Sequence, residues 1–217
     1  MNKQRIAYVD EEQKAIRNFQ RKFDSDFDVI GLLPTKEIDE LIEAIFKSGA
    51  NAVVTDFNLK EYKTDVKYPV NYDGVQLVES IREIRHGFPC FVLTSYDGDA
   101  IQEAKDVNLI YPKDTLNQKI GNTTLQEKVN VQIKHYRAEL EKNSTEFNAL
   151  LEKAQAQPLT ENEEARLTEL DTLLENSIDG KKALSKAAKQ GAGITKLNEL
   201  IGSTDELIKE LRKENGK

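Results

Sequence analysis

The sequence predicts an α/β protein: a doubly wound, five-stranded parallel sheet followed by an all-helical, partly coiled-coil region. Three observations predict it. Over residues 1–121, short apolar runs alternate with stretches whose apolar residues recur at helical spacing, the pattern of a parallel sheet covered on both faces. From residue 122 to 217 the strand-like runs stop and helical periodicity continues. The chain is 38% hydrophobic and 32% charged, which suits a modest core joined to a heavily solvated remainder.

Each element follows in order. Ile6-Ala7-Tyr8-Val9 is a first strand, ended by Asp10-Glu11-Glu12, and Ala15, Ile16, Phe19 and Phe23 then recur at helical spacing. Phe27 to Leu33 reads as a second strand. Thr35 is placed to cap a helix whose apolar face is Ile38, Leu41, Ile42, Ile45 and Phe46. Ala52-Val53-Val54-Thr55 is the third strand and stops at Asp56. After a long polar loop, residues 57–72, Asp73 caps a helix carrying Val75, Leu77, Val78, Ile81 and Ile84. Cys90-Phe91-Val92-Leu93 is the fourth strand, ending at Thr94-Ser95, and a short helix through Ile101 and Ala104 follows. Asn108-Leu109-Ile110-Tyr111 is the fifth strand, just before Pro112 and Lys113.

The helical half begins at Thr123 or Thr124 and runs unbroken to about Gln157. Val129, Tyr136, Asn143 and Leu150 are seven apart, and Ile133, Leu140, Phe147 and Ala154 form the companion series. This is a heptad seam with a polar Asn at one core position. Such a seam fits a helical hairpin within one chain or a coiled coil between two copies. Pro158 breaks the helix, and Thr160 with Glu163 forms a capping box for the next one, whose apolar positions are Leu167, Leu170, Leu173, Leu174 and Ile178. Gly180, Gly191, Gly193 and Gly202 divide the remainder into short helices.

Charge and composition exclude several classes of function. The net charge is −7, and both halves are acidic: the deficit is five charges before residue 122 and two after it. A nucleic-acid binder needs a basic excess to meet phosphates, so no nucleic-acid partner is expected. No apolar run is long enough to cross a bilayer, and the short apolar segment behind Met1 is too brief for a signal peptide. With Cys90 as the one cysteine no internal disulfide can form, so a cytoplasmic address is expected. His135 lies on the long helix without a catalytic pattern around it and reads as a surface residue.

The chemistry-bearing residues stand at strand ends: Asp10 and Glu11 after the first strand, Asp56 after the third, Thr94 after the fourth and Lys113 after the fifth. In a doubly wound sheet these ends converge on the edge where ligands bind. Three carboxylates crowded there repel one another unless a cation joins them. A hard divalent ion with oxygen ligands, Mg²⁺ above all, meets that need. A lysine and a hydroxyl beside it complete a cradle for phosphoryl oxygens.

In this ordered set, residues 4–120 resemble the receiver domain of the response-regulator family, a flavodoxin-like fold. Asp10 and Glu11 match the family's acidic pair, with Glu where Asp is usual in the second place. Asp56 matches the phospho-acceptor, Asn58 the residue whose backbone carbonyl binds metal, Asp73-Gly74 the start of helix three, Thr94 the switch hydroxyl and Lys113 the strand-five lysine. The resemblance implies that Asp56 attacks a phosphohistidine on a histidine kinase or phosphotransfer protein. It implies that Asp10, Glu11, Asp56 and the Asn58 carbonyl hold Mg²⁺, while Lys113 and Thr94 engage the new phosphoryl group. Asn58 and Tyr96 lie where the family tunes dephosphorylation.

Three departures stand beside it. The 57–72 loop far exceeds the family's short turn. Ile110 occupies the place of the switch aromatic, with Tyr111 on the opposite face. The family's Lys-Pro pair is Lys113-Asp114 here, with Pro112 before the lysine, so the cis bond expected after that lysine is absent. The leading expectation is a two-component signalling protein that turns over nothing beyond its own phosphoryl group and acts on a protein output partner. A phosphate sink or relay, or a receiver-fold scaffold that takes no phosphate, are the alternatives. The organisation expected is a receiver domain at 1–121 and a helical extension at 122–217.

Overall fold

The computed structural model describes residues 3–60, 65–66, 68–95, 106–118, 121 and 123–179. Five parallel strands, β1 (Gln4–Val9), β2 (Phe27–Leu32), β3 (Ala52–Asp56), β4 (Cys90–Thr94) and β5 (Ile110–Pro112), form one sheet in the order β2-β1-β3-β4-β5. The order reverses between β1 and β3, which puts the topological switch point at Asp10 and Asp56. Both faces are covered. Ala7, Val9, Val53 and Val92 pack with α2 (Ile38–Lys47) and α3 (Gly74–Ile84). Ile6, Tyr8, Val54, Phe91 and Leu93 pack with α1 (Gln13–Phe23) and the start of α4 (Leu125–Ala156). Each fully buried large apolar side chain contributes roughly 1.5–3 kcal/mol.

Local chemistry explains where α3 and α4 begin. Asp73 caps α3 through a complete capping box, its Oδ1 accepting from Gln76 N at 2.9 Å while Gln76 Oε1 accepts from Asp73 N at 3.0 Å. Thr124 with Glu127 opens α4 in the same way.

Two expectations are corrected. Thr35 does not cap α2: the helix starts after Glu37, and the Thr35 hydroxyl donates instead to the Glu37 carbonyl at 2.7 Å. β5 begins at Ile110, not Asn108, because Asp106 Oδ1 accepts both the backbone and side-chain N–H of Asn108 and folds Val107–Leu109 into a 3₁₀ turn. Pro112 at the end of this edge strand lacks an N–H. The expected helix through Ile101 and Ala104, Tyr96, and the helices beyond Gly180 lie outside the described residues.

The chain divides into two compact units, Met1–Glu141 and Lys142–Lys217. The division falls inside α4, whose Leu125, Val129 and Ile133 belong to the core of the first unit. That core also takes Tyr136, whose ring meets Phe88 edge-on at 5.7 Å. In the second unit the rest of α4 and α5 (Glu161–Asp179) form an antiparallel hairpin, with the Thr160–Glu163 box opening α5. Arg166 grips Glu146 with two nitrogens at 2.7 and 2.8 Å, Lys153 pairs with Glu163, and Leu170 is fully buried. Asn143, Phe147 and Leu150 of the heptad seam are half-buried here. No helix among the described residues is long and apolar enough to cross a membrane.

Candidate functional site

Three carboxylates converge at the switch point. Asp10 and Glu11 leave β1, Asp56 ends β3, and one oxygen from each lies within 4.8 Å of the others. All three are buried: Asp10 is 2%, Asp56 3% and Glu11 4% exposed. Strand geometry delivers them, since β1 and β3 are adjacent and in register from Ile6 to Val9 against Ala52 to Thr55.

Each carboxylate is held differently. Asp10 Oδ1 accepts from the Glu12 backbone N–H at 2.9 Å and Oδ2 from the Tyr8 hydroxyl at 2.7 Å. Glu11 Oε2 is buried without a hydrogen-bond partner. Asp56 Oδ1 meets Lys113 Nζ at 2.8 Å. Lys113 starts the 3₁₀ turn that follows β5, so the strand end aims its ammonium across the edge. The Lys113–Asp114 bond is trans, with no cis peptide among the described residues. Thr94, buried at the end of β4, lies one residue beyond Leu93, the strand partner of Asp56. Ser95 and Asn58 are exposed.

The backbone behind Asp56 is fixed. Its carbonyl oxygen accepts from Thr55 Oγ1 at 2.9 Å, and a Cβ on Gly74 would fall 2.1 Å from that same oxygen. Gly74 N donates to the Phe57 carbonyl at 2.8 Å, and Phe57 N to the Leu93 carbonyl at 2.8 Å. Glycine is required here because α3 begins against the end of β3.

The electrostatics follow from crowding. Burial, reinforced by Asp10 and Asp56, pushes the Glu11 carboxyl up to about 7. Burial also raises Asp10, against the hydrogen bonds from Glu12 and Tyr8. Burial opposes the charge on Lys113, but Asp56, Asp10 and Glu11 outweigh it and its pKa rises. Lys113 leaves the trio short of positive charge. The all-oxygen donor set and the bare Glu11 Oε2 fit a hard divalent cation such as Mg²⁺.

The 57–72 loop is folded rather than slack where it is described. Leu59, Val66, Val70 and Tyr72 are buried in the core. Lys60 Nζ meets Asp73 Oδ2 at 2.8 Å, Asp65 Oδ2 accepts from Gln13 N at the start of α1 at 3.1 Å, and Tyr68 and Tyr72 donate to the carbonyls of Pro34 and Thr35. Ile110 and Tyr111 pack on opposite faces of the sheet, as alternation requires. Sequence reasoning missed Tyr8, read only as an apolar strand residue. Period-two spacing from Asp10 was the signal that could have found it.

No protein-family model matches the chain, and no curated protein matches it. Among solved structures, an RcsB response regulator of Salmonella typhimurium, described for its DNA interaction, aligns over 80% of this chain and 93% of its own at 16% identity, with a TM-score of 0.41. A response regulator receiver protein from Sinorhizobium medicae aligns over 62% and 94% at 18% identity (TM-score 0.41). An adenylate cyclase from Rhodopirellula baltica aligns over 66% and 96% at 17% identity (TM-score 0.45). The chain's own strand order and doubly covered sheet define a receiver-like α/β fold.

Proposed function

We propose that the chain is a two-component response-regulator protein that accepts a phosphoryl group on Asp56 from a phosphohistidine of a histidine kinase or phosphotransfer protein. The observation that carries this is the buried Asp10–Glu11–Asp56 trio with Lys113 seated on Asp56. A fold keeps such a strained group of charges where a ligand or reaction uses it.

In the reaction, a carboxylate oxygen of Asp56 attacks the phosphorus and the P–N bond breaks. The leaving imidazole takes up a proton from solvent, and Asp56 becomes an acyl phosphate. Lys113 Nζ turns from the carboxylate to a phosphoryl oxygen, and Thr94 Oγ1 donates to another. Mg²⁺ held by Asp10, Glu11, Asp56 and the Asn58 backbone carbonyl would neutralise the carboxylates and offset phosphoryl charge. The burial of the site keeps bulk water from the acyl phosphate until a water attacks the phosphorus, releases phosphate and restores Asp56. The protein is thus a carrier of its own phosphoryl group rather than a turnover enzyme.

The acidic net balance of both halves supports a protein output partner rather than a nucleic-acid one, and the single cysteine supports a cytoplasmic address. The half-buried seam of α4 supports a homodimer as one form of output. A second reading, a phosphate sink or relay without output, is favoured by Ile110, an aliphatic residue packed in the core where the family has its switch aromatic.

Intact-protein mass measurement after incubation with acetyl phosphate tests the central reading. A Mg²⁺-dependent adduct of one phosphoryl group, lost in Asp56→Asn, is expected. No adduct with Mg²⁺ present, or one that survives the substitution, would overturn it. Light scattering on the same samples separates the two outputs: a change in oligomeric state on phosphorylation excludes the sink.

A further inference from the structure

We propose that Tyr8 is a positioning residue of the acidic pocket, a hydroxyl built into β1 that fixes the Asp10 carboxylate toward a bound divalent cation. The inference rests on the reading above that the trio takes such a cation.

The argument begins with what the ring cannot do. Tyr8 is buried in the α1 side of the core. Its ring stacks on Phe19 at 3.9 Å with the planes 2° apart, and Phe19 stacks on Phe23 at 4.0 Å. A ring clamped in this way cannot swing its hydroxyl to another acceptor. Asp10 lies one residue past the end of β1 with its N–H still bonded to the Leu32 carbonyl at 3.3 Å, so strand alternation carries it to the same side as Tyr8. The hydroxyl meets Asp10 Oδ2 at 2.7 Å.

The consequence for Asp10 is a carboxylate fixed at both oxygens, one by Tyr8 and the other by the Glu12 N–H. Its neighbour differs: Glu11 Oε2 is buried with no donor. The pocket therefore holds one carboxylate locked in orientation and one with an oxygen left bare. Each Asp10 oxygen keeps a second lone pair, and the Tyr8 hydrogen bond selects the direction in which it points. A phenylalanine would fill the same stack, so packing alone does not call for the hydroxyl. A buried hydroxyl costs free energy unless it is hydrogen-bonded, and here its acceptor is a residue of the pocket. Partners that orient a metal-binding group in this manner typically govern affinity by about 10–100-fold.

The test is a MgCl₂ titration of the full chain followed by NMR with ¹³Cζ-labelled tyrosine, for wild type, Tyr8→Phe and Tyr72→Phe. Tyr72 is the control, a buried tyrosine whose hydroxyl donates to the Thr35 carbonyl rather than to a carboxylate of the trio. Tyr8→Phe keeps the aromatic stack, and its spectrum assigns the Tyr8 resonance by loss. Expected are a Tyr8 resonance that moves on Mg²⁺ addition, about tenfold weaker Mg²⁺ binding in Tyr8→Phe, and wild-type affinity in Tyr72→Phe. An affinity for Tyr8→Phe within about twofold of wild type, or a Tyr8 resonance that Mg²⁺ leaves in place, would overturn the proposal. Equal weakening in Tyr72→Phe would reduce Tyr8 to a core tyrosine. If wild type itself binds no Mg²⁺, the cation reading fails first, and that result is distinct from a wild type that binds and a Tyr8→Phe that binds equally.

Discussion

Acidic side chains are treated in opposite ways in the pocket and in the hairpin. In the pocket, burial and mutual repulsion push Glu11 up to about 7 and raise Asp10. In the hairpin, Arg166 holds Glu146 below the usual carboxylate range, and Lys153 with the Thr160 backbone N–H lowers Glu163 to about 2. The hairpin carboxylates are where folding alone would put them, at the surface and paired. The pocket carboxylates oppose folding, since buried charge without full compensation is costly. Charges that a fold would be more stable without are the ones to examine for chemistry.

The largest effect that would sharpen this contrast is on the reaction. Lys113→Ala should slow adduct formation from acetyl phosphate by about a hundredfold, the scale of losing one charge-stabilising donor. Rates from the mass assay check it, and an unchanged rate would place Lys113 on the structural side of the comparison. Next is Gly74→Ala, which forces a methyl against the Asp56 carbonyl. It should cost about 1–3 kcal/mol in thermal or denaturant unfolding and slow the adduct as well.

A smaller effect is the pH dependence of the Mg²⁺-free protein. Glu11 titrates near 7 when folded and near 4.5 when unfolded, so between those values the folded state holds more protons. Stability should therefore fall as pH rises through that window, by about 3 kcal/mol at most, with the loss complete above it. Added Mg²⁺ should raise Tm more at pH 8 than at pH 5, where it must displace a proton. A Mg²⁺-free stability that rises steadily with pH over this range would break the comparison. The smallest effect belongs to the hairpin: Arg166→Gln removes two surface ion pairs, with Glu146 and Glu169, and Tm should show little change in either Mg²⁺ or EDTA.

Much of this was legible in the sequence because strand ends are marked by an abrupt change of residue type. β3 stops at Asp56 and β4 at Thr94, as the apolar runs indicate, and the Asp73, Thr124 and Thr160 caps all form. What was not legible depended on partners distant in sequence. Thr35 looked like a helix cap, yet Tyr72, 37 residues away, takes its carbonyl while its hydroxyl turns to Glu37. The 57–72 loop looked polar throughout, but Leu59, Val66, Val70 and Tyr72 are spaced without a period and reach the core individually. Tyr8 read as one more strand apolar residue, because nothing local reveals that its hydroxyl meets a carboxylate.

The stitching of α3 to the end of β3 has a consequence for how the molecule opens. The amides of Phe57 and Gly74 are spent on the Leu93 and Phe57 carbonyls, bridging β4, the residue after Asp56 and the first turn of α3. Neither bond can break without separating elements that share one core. Local fraying offers no inexpensive route into this part of the site, so these two amides should exchange with deuterium on the timescale of global unfolding. If Asp56 takes a phosphoryl group as proposed, these two amides should stay equally protected before and after.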